Sequence, residues 1–127
     1  MYRESVVFYH MRKLPYLGKL GQVLKEMGAE LLERGPEDAG QKIGFLVGLP
    51  GFEKAQGVLP MKIPEEIMIL NGFTSSRMDE LFKRMREAGI PKIALKAAIT
   101  ESNKNWTLGQ LYIEIRMEHE EIKRRMQ

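Results

Sequence analysis

The sequence contains no cysteine and only two histidines, so several classes of chemistry are excluded at the start. Without thiols the chain cannot form disulfide bonds, zinc ribbons or iron–sulfur clusters. His10 and His119 stand alone, and no HExxH pattern occurs. We therefore expect no metal site and no cofactor. The lack of cysteine is compatible with a reducing cytoplasm.

Long hydrophobic runs are also missing. The apolar stretch in the opening MYRESVVFYH is too short for a signal peptide. No other stretch approaches the roughly 20 apolar residues that a membrane-spanning helix needs. We therefore expect a soluble, cytoplasmic protein with no membrane partner.

The charge balance is close to even, with 20 basic and 17 acidic residues and a net charge of +3. One region is locally basic, and its cations are Lys83, Arg84, Arg86, Lys92, Lys96 and Lys104. Acidic residues interrupt it at Glu80, Glu87 and Glu101, and no aromatic residues alternate with the cations. This pattern is typical of a solvated face with mixed charge, so a nucleic-acid partner is not expected.

Sequence motifs that are typical of enzymes are absent as well. The sequence has no P-loop, no GxGxxG pattern and no GxSxG elbow. The acidic residues fall mostly on predicted helix faces, and no pair of them is marked as an acid and a base. We expect no catalytic residue, although the sequence does not exclude a binding site.

What the sequence does contain is a repeated order of strands and helices. The best strands are Val6 to Tyr9, Ile67 to Leu70 and Ile93 to Ile99, and the weaker AELLER (29 to 34) is interpreted as a strand. Apolar residues at helical spacing precede Gly28 and Gly89, which are natural helix ends. A further helix is expected to start at Pro36 and to end before Pro50.

The two strand–helix stretches are related by a shift of 61 residues, which takes Phe8 to Ile69, Leu20 to Leu81 and Gly28 to Gly89. Beyond the glycines the shift becomes 64. The pattern predicts a single α/β domain (1–127) of two βαβα halves, about 4–49 and 65–124, around a mainly parallel four-stranded sheet. A ferredoxin-like α+β sheet is the alternative. An ordered connection rich in Gly and Pro (50–64) joins the halves.

The only tryptophan is interpreted as a structural anchor. With Thr107 as N-cap, Gln110 is at the third helical position and completes a capping box. Trp106 and Leu111 then occupy the two positions of a hydrophobic staple. We expect Trp106 to be mostly buried against Leu111.

Six residues are candidates for binding a small anion at the carboxyl ends of the strands: His10, Asn71, Gly72, Lys96, Thr100 and Asn103. His10 and Asn71 each close a strand, and open α/β sheets bind ligands at such ends. Lys96 interrupts an apolar strand and offers a positive charge. The more common roles of such residues are structural, since strand ends are capped by polar groups and long lysines cover apolar surface.

An apolar seam follows the last helix. Leu108, Tyr112, Ile115, His119, Ile122 and Met126 step by four and three residues, close to a heptad pattern. Tyr112, Ile115, His119, Ile122 and Met126 are therefore candidates for an interface in a homodimer.

Several runs resemble a known family: ILNGF, AGIPKIALKAAITESNKNWT, the L-x-x-E that follows with EH near the end, and QKIGFLVGLPGFE. Together they are similar to an uncharacterised bacterial family, domain of unknown function 3783. The resemblance is densest over 66–120. It implies that Gly72, Lys96, Thr100, Asn103 and Trp106 are signature positions, and it implies no activity, substrate or cofactor.

Two classes of function are consistent with the sequence. The favoured one is a non-enzymatic binding or interaction module that self-associates, with an unidentified protein as a further possible partner. The alternative is a protein that binds a small molecule or anion, possibly an enzyme, at the carboxyl ends of the strands. Convergence of His10, Asn71 and Lys96 in one concavity would favour the alternative.

Overall fold

The computed structural model describes residues 4–126 and contains a four-stranded sheet with helices on both faces. The strands are β1 (Ser5–Tyr9), β2 (Glu30–Arg34), β3 (Ile67–Asn71) and β4 (Leu95–Ala98). The helices are α1 (Leu17–Glu26), α2 (Ile43–Leu46), α3 (Ser75–Glu87) and α4 (Leu108–Arg125). The prediction of an α/β fold is confirmed, and so is the weak strand in AELLER.

The sheet is mixed, with the order β2-β1-β3-β4. β1 and β2 are parallel, as are β3 and β4, and each of these pairs is joined by a helical crossover. The central pair, β1 with β3, is antiparallel. The expectation of a mainly parallel sheet is therefore wrong at its centre. The reason is that no single crossover joins β1 to β3, and the long connection before β3 lets that strand enter in the opposite direction.

Both faces of the sheet are covered, which explains why its central strands are continuous apolar runs. Side chains alternate between the faces, so Val6 and Phe8 pack beneath α1 and α3, whereas Val7 and Tyr9 pack beneath α2 and α4. In β3, Met68 and Leu70 share the first face and Ile67 and Ile69 the second.

The shift of 61 residues holds for the helices but not for the strands. Gly28 and Gly89 both follow their helices with positive φ, at 74° and 77°. Phe8 and Ile69, however, lie on opposite faces of the sheet. A shift of 62 keeps the faces matched, and it pairs Phe8 with Leu70.

The region after β2 forms less helix than expected. It consists of a 3₁₀ turn at Pro36–Asp38 followed by the short α2. The connection (50–64) packs closely against the region between the 3₁₀ turn and α2. A Cβ on Gly40 would meet Val58 at 2.7 Å, and one on Gly44 would meet the Phe52 ring at 2.6 Å. Close contact with the connection therefore takes the place of a continuous helix.

Polar contacts attach the connection at two further points. The side chain of buried Gln41 donates to the Ala55 carbonyl (3.1 Å) and accepts from the Ala55 N–H (2.8 Å). The N–H of Ile63 donates to the hydroxyl of buried Tyr9 at 2.9 Å. These bonds satisfy groups that burial would otherwise leave unpaired.

Candidate functional site

The mixed sheet separates His10 from Asn71. Because β1 and β3 are antiparallel, Asn71 lies opposite Ser5, at the start of β1, and its amide donates to the Ser5 hydroxyl at 3.3 Å. His10 follows the other end of β1, where its ring nitrogens lie 2.9 Å from the Arg12 carbonyl and from a Glu33 carboxylate oxygen. The two residues therefore cannot share a pocket, and His10 links β1 to β2.

Asn71 and Thr100 do come together, at the carboxyl ends of β3 and β4. They line a cavity of about 410 Å³ with Leu49, Pro50, Phe52, Ile99, Glu101 and Lys104. The cations and anions of this edge are already paired, since Lys104 lies 2.7 Å from Glu101.

Thr100 and Asn103 lock the loop that follows β4. The Thr100 N–H donates to Asn103 Oδ1 at 2.8 Å, and the Asn103 N–H donates to the Thr100 hydroxyl at 3.0 Å. Asn103 is buried and also donates to the Ala98 carbonyl at 2.9 Å. Gly72 has φ +81°, a conformation that favours glycine in the turn after β3. Loop geometry therefore accounts for these three signature positions.

The structure confirms the predicted start of α4. Thr107 is the N-cap and accepts from the Gln110 N–H at 3.1 Å, while the Gln110 side chain accepts from the Thr107 N–H at 2.8 Å. Trp106 is half-buried rather than mostly buried, and it packs against the core cluster that contains Leu111. A staple role needs this contact with the core and does not need complete burial of the ring.

Lys96 does not meet the loop after β4. It lies on the α3 side of the sheet, in register with Met68, whereas α4 covers the opposite side. Its ammonium donates to the Ile93 carbonyl at 2.6 Å and lies 5.4 Å from the centre of the Phe82 ring. Burial lowers the pKa of Lys96, and the neighbouring charge of Lys92 lowers it further.

Next to Lys96 is a cavity of about 270 Å³ between α3 and the segment that leads into β4. Its wall is largely apolar, and Arg86, Lys92 and Lys96 also line it. The sequence predicts Lys96 as an anion-binding candidate, but it predicts Arg86 and Lys92 only as part of a solvated face with mixed charge. Only the packing of α3 against β4 brings them to one cavity, so no local signal could have identified it.

The seam of α4 divides into two parts. Leu108 and Ile115 are buried in the core, and the hydroxyl of half-buried Tyr112 donates to Glu65 at 3.2 Å. His119 is half-buried. Ile122 and Met126 are exposed, by 55% and 82% respectively. Tyr112 and Ile115 therefore make their contacts within this chain, whereas the end of the seam is exposed to solvent.

Residues 4–126 contain neither a metal-binding cluster nor a membrane-spanning helix. In this part of the chain, no group of three or more acidic or histidine side chains is arranged to hold a metal ion. None of the helices within it has both the length and the apolar character needed to cross a membrane.

Comparison with known proteins found one family. No curated protein and no solved structure matches the chain. Residues 66–122, which run from the residue before β3 into the last turns of α4, match the model of the family described as Domain of unknown function (DUF3783). The resemblance found in the sequence is thus confirmed, and over 66–122 this chain is similar to the DUF3783 family.

Proposed function

We propose that this protein is a non-enzymatic interaction module that self-associates, as a twofold dimer, through the end of α4. The observation that carries the proposal is the exposure of Ile122 and Met126, 55% and 82%, on the same helix face that is buried at Leu108 and Ile115. An apolar stripe that continues past its own core needs a second surface to cover it.

The dimensions of α4 explain why its own sheet cannot cover the stripe. Leu108–Arg125 is 18 residues long, or about 27 Å at 1.5 Å per residue. Four strands at about 4.8 Å spacing form a sheet only about 15 Å wide. The first half of α4 lies on the sheet, and the last turns extend beyond the residues that cover it.

The charges beside the stripe favour a second copy of this helix in the antiparallel orientation. Of the charged residues that flank the stripe at helical spacing, acidic Glu118 comes first and basic Lys123 and Arg125 follow. An antiparallel pair brings the acidic residue of one helix beside the basic residues of the other. A parallel pair would place like charges together, which is unfavourable. Antiparallel pairing about a twofold axis also gives a closed dimer.

The other segment that could cover Ile122 and Met126 is the connection (50–64) of the same chain, but it packs against a different part of the molecule. Phe52 packs on Gly44, and Ala55 is bonded to Gln41. Ile122 and Met126 are exposed with that connection in place. It therefore does not cover the end of α4.

The test is light scattering on two matched double variants. Ile122→Glu with Met126→Glu places charge on the open stripe and should convert dimer to monomer with the fold retained. Ile113→Glu with Met117→Glu is the control, because these side chains are also exposed (51% and 63%) but point away from the stripe. The control should remain dimeric. A wild-type protein that is monomeric at tens of micromolar, or equal loss of dimer in both variants, contradicts the proposal.

We also infer that the chain arose from two related βαβα units. The element order repeats, Gly28 and Gly89 end their helices with the same positive φ, and the matched region of the family spans the second unit. Superposition of 5–9 on 67–71 together with 17–28 on 78–89, which keeps the faces matched, tests the inference. A poor overlay of α1 on α3 would contradict it.

A further inference from the structure

The cavity beside Lys96 combines an apolar wall with an uncompensated positive rim. Its apolar residues are Phe82, Met85, Ile90, Pro91 and Ile93. Its cations are Arg86 and Lys92, both exposed, and the half-buried Lys96. These two kinds of surface meet in one concavity, and each suits a different part of a ligand.

Within the described part of the chain, the three cations have no acidic partner. No ion pair among residues 4–126 includes Arg86, Lys92 or Lys96. Nearby cations of the same basic region are paired, because Arg84 contacts Glu80 and Glu26, and Lys104 contacts Glu101. The positive charge is therefore concentrated at the cavity.

Lys96 is the most constrained of the three. One ammonium hydrogen is used by the Ile93 carbonyl at 2.6 Å, and the Phe82 ring lies on another side at 5.4 Å. An ammonium group has three donors, so two remain for other acceptors. A carbonyl and an aromatic ring compensate the partly desolvated charge less well than an anion would. The lowered pKa of Lys96 agrees with this incomplete compensation.

We propose that this cavity binds a small amphipathic carboxylate, with the carboxylate on Lys96, Lys92 and Arg86 and the apolar part against Phe82, Met85 and Ile90. The volume of about 270 Å³ equals that of about nine water molecules at about 30 Å³ each. A chain of about eight carbons fills this space. The site lies at the start of β4 and not at the carboxyl ends of the strands, and it is independent of the proposed dimer.

The test is titration of the full chain with octanoate, followed by ¹H–¹⁵N NMR. Saturable shifts should be confined to amides of 81–97. Octanol and octylammonium are matched probes that keep the tail and remove or reverse the charge. Both should bind at least about tenfold more weakly, since they lose the charge-assisted hydrogen bonds.

Variants separate the role of the cavity from general charge. Lys96→Met keeps an unbranched side chain and should weaken octanoate binding about tenfold. Lys83→Met removes an exposed lysine of α3 that does not line the cavity, and it should change affinity less than about twofold. If Lys96→Met does not fold, the exposed pair Arg86→Met with Lys92→Met provides the same comparison. Absence of saturable shifts to about 10 mM, equal binding of octanol, or equal effects of the Lys83 and cavity variants would overturn the proposal.

Discussion

Lys42 and Thr107 face each other across an isolated antiparallel bridge and are the N-caps of α2 and α4. The Ile43 N–H donates to the Trp106 carbonyl at 2.9 Å, and the Leu108 N–H donates to the Gln41 carbonyl at 3.0 Å. The first N–H groups of a helix have no partner within it. Each helix therefore finds, in the segment before the other helix, an acceptor for one of its own unpaired donors.

Trp106→Ala is expected to lower the free energy of unfolding by about 2–3 kcal/mol. This is less than the 3–5 kcal/mol typical of a fully buried ring, because Trp106 is only half-buried. Urea denaturation measures the loss. Trp106→Phe keeps an aromatic ring in the staple and should lose about 1 kcal/mol or less. A loss below about 0.5 kcal/mol for the alanine variant would show that the ring does not anchor α4.

Two glycine-to-alanine changes in helices should have opposite signs. In Gly44→Ala the new methyl meets the Phe52 ring at 2.6 Å, so we expect a loss of about 1–3 kcal/mol. In Gly18→Ala nothing lies within 4 Å of the new methyl, so α1 should gain about 0.5–1 kcal/mol. Thermal unfolding of both variants tests the pair. Equal effects would mean that Phe52 leaves Gly44 at little cost.

The stability of the wild-type protein should contain a pH-dependent contribution from Lys96. Its folded pKa is lowered by burial and by Lys92, whereas the unfolded chain has a lysine pKa near 10.4. The folded state thus holds this proton less well, and the resulting destabilisation is fully present below the folded pKa. It is lost as pH rises from the folded pKa towards about 10.4.

Lys96→Met removes that contribution. The difference in unfolding free energy between variant and wild type should therefore change with pH above neutrality, in the direction of wild type gaining stability. Urea titrations from about pH 7 to pH 10 measure it, and Lys83→Met is the matched control. A difference that stays constant over this range would show that the charge of Lys96 is well compensated.

Local rules predicted much of the scaffold from the sequence. VVFY and IMIL are strands because they are apolar on both faces, and Gly28 and Gly89 follow α1 and α3 because they adopt positive φ. The capping box of Thr107 and Gln110 involves residues only three apart. Such features depend on neighbours in the chain, so the sequence alone specifies them.

Those local rules do not predict the direction of β3 in the sheet. Nothing local distinguishes a strand that enters the sheet parallel to β1 from one that enters antiparallel, and the long connection permits either. That choice decided that His10 and Asn71 lie apart. Lys96 is absent from the carboxyl ends of the strands for a different reason, because it lies near the start of β4 on the face covered by α3.

By itself, the sequence determined the strands, the ends of α1 and α3, the start of α4 and the apolar stripe of α4, because each depends on spacing along one segment. Only the tertiary structure decided which part of the stripe is buried, and only it gathered Arg86, Lys92 and Lys96 around one cavity. These outcomes depend on the packing of α3 and α4 against the sheet. The physical reason is that burial and electrostatic neighbours are set by contacts between separate elements, which spacing within one element does not encode.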